Sequence, residues 1–306
     1  MKRIEILMSA YNGDKFIGEQ IESIMRQRGV DDLHLTIRDD GSSDETVSVI
    51  KKLQQKYPNA ISVHVGENIG YRKSFLRLLD LAVDADYYGF ADQDDFWKEE
   101  KIFRAVECLE KEKSGIKLYV GSLKIVDSDM KEIADKDISR IPNTLGSLFT
   151  RNRFAGCTFV FSKACKEMAQ RFASMNYPIE RMPDHDFLVA ACAYAGGSVV
   201  LDDQENILHI RHGGSVTSGG NGLKKRIQIE WNYVFNRKEA ASTMARELIN
   251  TCGDLMDEET TLFLEELANY KKTWERKLKL LRNDKMKTGI PICDLETKVK
   301  IVIGTY

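Results

Sequence analysis

Tyr87-Tyr88-Gly89-Phe90-Ala91-Asp92-Gln93-Asp94-Asp95-Phe96-Trp97 is the stretch on which the reading of this chain turns. Residues 87–91 form an apolar run suited to a buried strand, and three carboxylates follow within four residues. Carboxylates crowded at the exit of a buried strand repel one another, and a divalent cation removes the conflict. Magnesium or manganese takes hard oxygen ligands and leaves positions for phosphate oxygens, so the cluster predicts a site for a nucleotide diphosphate. Taken alone, D-x-D-D equally describes a solvated loop, and the rest of the chain decides between the two readings.

Upstream, short apolar runs alternate with helical patterns. Residues 4–8 read as a strand, and 14–27 carry Phe16, Ile17, Ile21, Ile24 and Met25 at helical spacing. A second strand over 33–37 leads to Asp39-Asp40-Gly41-Ser42-Ser43-Asp44, with Asp44 placed to cap a helix bearing Val47, Ile50 and Leu53. A strand over 61–65, a helix over 74–83 and the strand over 87–91 complete the pattern. Such alternation predicts an α/β fold with a mostly parallel sheet and helices on both faces, joined by right-handed crossovers. Ligands of these sheets bind beyond the carboxyl ends of the strands, where all four polar clusters fall. Neither GxGxxG nor GxxxxGK[ST] occurs at the first strand-to-helix turn, which argues against a dinucleotide-binding dehydrogenase and a P-loop enzyme.

Further on, strands are expected over 118–126, 157–161 and 207–210, and an alanine-rich helix over 186–194. A glycine-rich loop follows Arg211-His212, and the pattern is helical from Leu223 onward. The boundary is therefore set at Gly220, between a nucleotide-binding and catalytic domain at 1–220 and a helical region at 221–306.

Composition narrows the class. With 306 residues the chain can bury a substantial core, and a formal net charge of −2 argues against nucleic acid as a partner. Six cysteines without CxxC spacing read as reduced core residues, which fits a cytoplasmic setting. The first apolar run is too short for a signal peptide and no stretch reaches membrane-spanning length, so a soluble or peripheral protein is expected.

The motifs Ser9-Ala10-Tyr11-Asn12-Gly13, Asp39-Asp40-Gly41-Ser42-Ser43-Asp44, Asn68-Ile69-Gly70, Asp92-Gln93-Asp94-Asp95-Phe96-Trp97 and His185-Asp186-Phe187-Leu188, in this order, resemble those of family 2 glycosyltransferases of the GT-A fold. Within that family the chain is similar to the bacterial rhamnosyltransferase-like branch, over about the first 220 residues. The resemblance implies a GT-A fold and inverting, metal-dependent transfer of a sugar from a dTDP- or UDP-sugar donor, with dTDP-L-rhamnose favoured over UDP-hexoses. It also implies a glycan or lipid-linked saccharide acceptor in cell-wall, capsule or other surface polysaccharide synthesis.

Roles can then be assigned. Ser9, Tyr11, Asp39, Asp40, Lys73, Asp92, Gln93 and Arg211 are the expected nucleotide-binding residues. The Tyr11 ring can stack on a pyrimidine, and Asp39 or Asp40 can accept from the base imide, the competing role being to begin a turn and cap the next helix. Asp92 is placed at the ribose and Asp94 on a Mn2+ or Mg2+ ion, with Asp95 in support and His212 completing the metal shell. Arg211 is within reach of the diphosphate, and Arg72 and Lys73 open a helix where a cation could meet phosphate. Inversion needs a base for the acceptor hydroxyl, and Asp186 matches the second acid of the family's motif, with His185 in place of the first. A helix cap is the competing role for Asp184 or Asp186.

After Tyr270 the chain is strongly basic, which is compatible with contact to anionic lipid, a solvated helix or a homodimer contact. Two rival functions compete with sugar transfer. A sugar nucleotidyltransferase would need a glycine-rich basic loop where Ser9–Gly13 stands, and a non-catalytic glycan-binding relative would not need to keep the acids together.

Overall fold

The computed structural model describes residues 2–174, 183–211 and 240–306. The first half follows the expected alternation: β1 (Arg3–Ala10), α1 (Ile17–Met25), β2 (Asp32–Asp39), α2 (Thr46–Lys56), β3 (Ile61–Val65), α3 (Tyr71–Leu81) and β4 (Tyr87–Ala91). Then come β5 (Asp95–Trp97), α4 (Lys101–Glu110), β6 (Lys117–Val126), β7 (Glu132–Lys136), α5 (Leu145–Thr150), β8 (Phe159–Ser162), α6 (Lys163–Ala173), α7 (His185–Gly196) and β9 (Ser198–Ile210). The helices α8 (Ala240–Cys252), α9 (Glu258–Ala268), α10 (Trp274–Leu281) and α11 (Pro291–Ile303) follow.

The strands form one sheet in the order β3-β2-β1-β4-β8-β6-β9-β5, with β7 paired to β6. β1 to β4 are parallel, as the sequence predicts. The strand expected over 157–161 is instead a short 3-10 turn (Gly156–Thr158) leading into β8, which runs antiparallel to both β4 and β6. The sheet continues parallel through β6 and β9, and β5 closes it antiparallel to β9.

Side chains alternate across the sheet, as strand geometry requires. Ile4, Ile6 and Met8 of β1 face a layer that includes Ile21 and Ile24 of α1, Ile50 of α2 and Ile102 of α4. Leu7 faces the opposite layer, with Phe90 of β4, Phe75 of α3 and the alanine-rich α7. That second layer also takes in Leu248, Leu264, Leu280 and Ile301 from α8 to α11. The C-terminal helices thus share a core with the first part of the chain, while the Gly220 boundary lies outside the described residues. No helix among the described residues is long and apolar enough to cross a membrane, and all six cysteines are unpaired.

Candidate active site

The carboxyl ends of β1, β2 and β4 place Tyr11, Asp39 and Asp92 at one edge of the sheet, and the loops there are bonded to one another. Asn12, at φ 46°, turns the chain after β1; its N–H donates to Ser42 Oγ (2.9 Å), and its Oδ1 accepts from Ser43 N–H (2.8 Å). Gly13 N–H donates to Thr46 Oγ1 at 2.8 Å. Asp44 caps within its own turn, accepting from Thr46 N–H at 3.0 Å, while Glu45 holds the N-cap position of α2.

Asp39 and Asp40 are both buried and both bind backbone. Asp39 Oδ1 accepts from Gly41 N–H (3.2 Å) and Ser42 N–H (3.0 Å). Gly41 is required there: its φ is 81°, and a Cβ would lie 2.9 Å from Asn68 N. Asp40 pairs with Arg38 and accepts from Ile69 N–H and Gly70 N–H, each at 2.9 Å, so it ties the loop after β3 to β2. Ser9 Oγ donates to Ser74 Oγ (2.6 Å), and Ser74 Oγ accepts from Arg38 Nη1 (3.0 Å), which extends this network under α3.

Gln93 clasps the loop after β1. Its Oε1 accepts from Tyr11 N–H (2.9 Å) and its Nε2 donates to Tyr11 C=O (3.0 Å), leaving the Tyr11 ring exposed to solvent. Gly13 leaves room for this amide, because a Cβ there would sit 2.3 Å from Gln93 Oε1.

Behind Gln93 the acidic turn closes on itself. Ligand atoms of Asp92, Asp95 and Cys157 lie within 4.8 Å of one another. His209 of β9 lies 2.7 Å from Asp95 Oδ1, while Asp95 Oδ2 is buried with no hydrogen-bond partner. Burial, with the neighbouring carboxylates, pushes the Asp92 and Asp95 carboxyls above the usual range. The hydrogen bond to Asp95, in turn, holds the His209 imidazole above the ordinary histidine value. Burial raises the Cys157 thiol well above its ordinary value, so it stays S–H and is a poor donor to a hard cation. The carboxylates, with one buried oxygen lacking a partner, fit a divalent cation.

Asp186 lies in the first turn of α7. Its Oδ1 accepts from Phe187 N–H (2.6 Å), and burial, reinforced by Asp184, pushes its carboxyl up to about 6. Asp184 holds the N-cap position of α7 without a side-chain cap bond; it pairs with Arg72 and accepts from Tyr71 Oη at 3.0 Å, joining α3 to α7. His185 is an aromatic core residue: it stacks on Phe75 (centroids 3.9 Å) and meets Phe90 edge-on (4.8 Å). Burial lowers its pKa to about 3, which keeps the imidazole neutral.

The turn before β8 joins the two acidic groups. Cys157 belongs to the Asp92–Asp95 cluster, and a Cβ on the preceding Gly156 would lie 3.3 Å from Asp186 Cβ and 2.7 Å from His185 Nε2. A base candidate and the acidic turn therefore flank two consecutive residues. Lys73 lies half-buried in the first turn of α3, and Arg211 is exposed just after β9, its N–H donating to Val126 C=O (2.8 Å). His212, expected on the metal, lies outside the described residues. The sequence reading did not bring Cys157, Gly156 or Lys136 to the site, although Lys136 acts electrostatically on Asp186. His209, in the strand expected over 207–210, had no expected role there either. Only long-range pairing places them there, and no local spacing announces it.

Bonded loops after β1 and β2, an acidic turn and a half-buried carboxylate on one edge of such a sheet are what a GT-A glycosyltransferase presents. Residues 5–171 match the model of Glycosyl transferase family 2, and the chain belongs to that family.

Among curated relatives, it is 34% identical over 161 residues to the dTDP-rhamnosyl transferase RfbG of Shigella flexneri, covering 51% of this chain and 54% of that protein. It is 33% identical over 109 residues to a processive diacylglycerol beta-glycosyltransferase of Mycoplasma pneumoniae, covering 34% of this chain and 31% of the relative. The chain thus spans about half the length of the first of these relatives and less of the second. Residues 1–349 of S. aureus TarS superpose with a TM-score of 0.59 at 15% identity, covering 98% of this chain and 81% of that one. The same protein solved with UDP-GlcNAc gives a TM-score of 0.59 over 99% of this chain and 82% of that one. These structures share the fold.

Proposed function

We propose that this glycosyltransferase moves a sugar with inversion from a nucleotide diphosphate donor to a glycan or lipid-linked acceptor in surface polysaccharide synthesis. The donor class favoured is dTDP-L-rhamnose, a reading supported by the similarity to a dTDP-rhamnosyl transferase. The observation that carries transfer as the chemistry is the placement of Asp186 and the Asp92–Asp95 turn on either side of Gly156-Cys157.

In this reading the pyrimidine stacks on the exposed Tyr11 ring, and Asp39 or Asp40 accepts from the imide N–H. Gln93 acts through the Tyr11 backbone, fixing the platform that Asn12 and Gly13 turn toward β2. Asp94 and its neighbours in the turn would hold Mn2+ or Mg2+, which supplies positive charge to the departing diphosphate. Asp186 receives the proton of the acceptor hydroxyl as that oxygen attacks the anomeric carbon and the bond to the diphosphate breaks. A carboxyl with a pKa near 6 is ionised at neutral pH yet basic enough to be useful. Arg211, just after β9, would meet the diphosphate in this reading.

The test is release of dTDP or UDP from a panel of nucleotide sugars, with and without manganese or magnesium, in the presence of an acceptor preparation. Transfer with a dTDP-sugar supports the reading. Pyrophosphate release instead would mark a nucleotidyltransferase, and binding without turnover a non-catalytic relative.

A further inference from the structure

The last helix, α11, has an unusual orientation. It buries Cys293, Thr297 and Ile301 and turns Ile292, Leu295, Val299, Val302 and Ile303 outward, with Leu295 62% and Ile292 67% exposed. A surface helix of a globular protein ordinarily does the reverse, and a continuous apolar stripe facing out marks an interaction surface. Nothing among the described residues covers it.

The stripe continues onto α10. Lys277 Nζ donates to Val302 C=O (2.9 Å) and lies 5.6 Å from the ring centroid of Trp274, itself 58% exposed. Lys271 approaches the same end of α11, since a Cβ at Gly304 would meet both Lys271 Cε and Lys277 Nζ at 3.7 Å. Lys298 lies exposed beside Val302 along the stripe, and Lys300 pairs with Glu296 on its other flank. Residues 271–306 hold ten lysines and arginines against four acids, in a chain whose overall charge is −2. The positive surplus is thus concentrated where apolar side chains point outward.

We propose that this face, the outward side of α11 with Trp274 and its flanking lysines, docks on an anionic lipid surface. An amphipathic helix binds such a surface by burying apolar side chains among the headgroups while cations meet lipid phosphates, and both parts are present here. A second copy of the chain is the poorer occupant, because a two-fold contact through this stripe sets lysines against lysines. The face is also coupled to the site. The turn before α11 is bonded to α5 and the segment that follows it through Thr144 Oγ1 to Lys285 C=O (2.7 Å), Thr150 Oγ1 to Met286 C=O (2.9 Å) and Arg153 Nη2 to Thr288 C=O (2.7 Å). Phe149 of α5 packs edge-on against Phe187, next to Asp186 (centroids 5.3 Å). The inference does not depend on the identity of the donor or of the base.

The test is sedimentation of the full chain with vesicles of equal parts phosphatidylcholine and phosphatidylglycerol, beside vesicles of phosphatidylcholine alone. Shortening the chain is unsuitable, because Ile301 and Tyr306 are buried. The substitutions are L295D with V299D, and separately K271Q with K277Q and K298Q, with circular dichroism as the folding control. The expected result is binding to the phosphatidylglycerol vesicles that weakens as salt rises and falls at least about tenfold in either variant. No sedimentation of the wild-type chain, or equal binding by the folded L295D/V299D variant, overturns the proposal. A concentration-dependent dimer that L295D/V299D dissociates, with no vesicle binding, overturns it in favour of self-association.

Discussion

His209 Nδ1 lies 2.7 Å from Asp95 Oδ1, and the two residues are partners in the antiparallel ladder of β5 and β9. A strand from late in the chain thereby braces the acidic turn from behind, and the second oxygen of Asp95 is buried without a hydrogen-bond partner.

That bracing makes metal dependence the first expectation. Chelation should abolish nucleotide diphosphate release, with manganese or magnesium restoring it. Asp94→Ala should lower turnover by at least about a hundredfold, since charge stabilisation worth several kcal/mol is lost. Full activity of Asp94→Ala in chelator would remove the cation from the reaction.

Asp186→Asn keeps the shape and the hydrogen bond from Phe187 N–H but cannot take a proton. Transfer should fall by about 10²–10⁴-fold while donor affinity, read by calorimetry, stays near wild type. The pH dependence has a definite sign. Burial raises the Asp186 carboxyl to about 6, and only the ionised form serves as base, so kcat/KM for the acceptor should climb as pH rises through 6 and level off above it. A profile flat from pH 5 to 8 would assign the base elsewhere.

Gln93→Ala removes both hydrogen bonds to the Tyr11 backbone, each worth about 1 kcal/mol net. KM for the donor should rise by about tenfold with kcat little changed, because the loss falls on binding. Gly13→Ala should reproduce the effect by displacing the same amide. Steady-state kinetics with varied donor checks both.

His185 sits between Phe75 and Phe90 as a neutral ring with its Nδ1 buried and unbonded. His185→Glu introduces an unpaired carboxyl there and should lower stability by about 3 kcal/mol or more. His185→Phe keeps the stack and should cost no more than about 1.5 kcal/mol, with transfer retained. Thermal melts separate the two.

The first half of the fold is legible because each of its strands is a short apolar run closed by a polar loop, from Ile4–Met8 to Tyr87–Ala91. The second half is not. β9 carries Asp202, Asp203, Gln204, Glu205 and Asn206 in its middle and slips register against β6 at Ser122, so only its apolar end at 207–210 reads as a strand. Its direction, like that of β8, is set by partners far away in sequence. At the site, the acidic turn and the residues after β1 and β2 announce themselves by type. The histidine that replaces an acid at 185 does not: its role follows from Phe75 and Phe90, which meet it only in the folded chain. Gln93 reads as a ligand contact because it stands among aspartates, yet its amide is occupied by Tyr11.

The C-terminal helices contribute Leu248, Leu264, Leu280 and Ile301 to the layer that also packs Phe90 and α7. Heat tolerance of the edge that carries Asp92 and Asp186 is therefore governed partly by side chains far from it. Calorimetry should record a single cooperative transition in place of two, and a cavity cut at Leu280 would lower the melting point of the catalytic half along with its own.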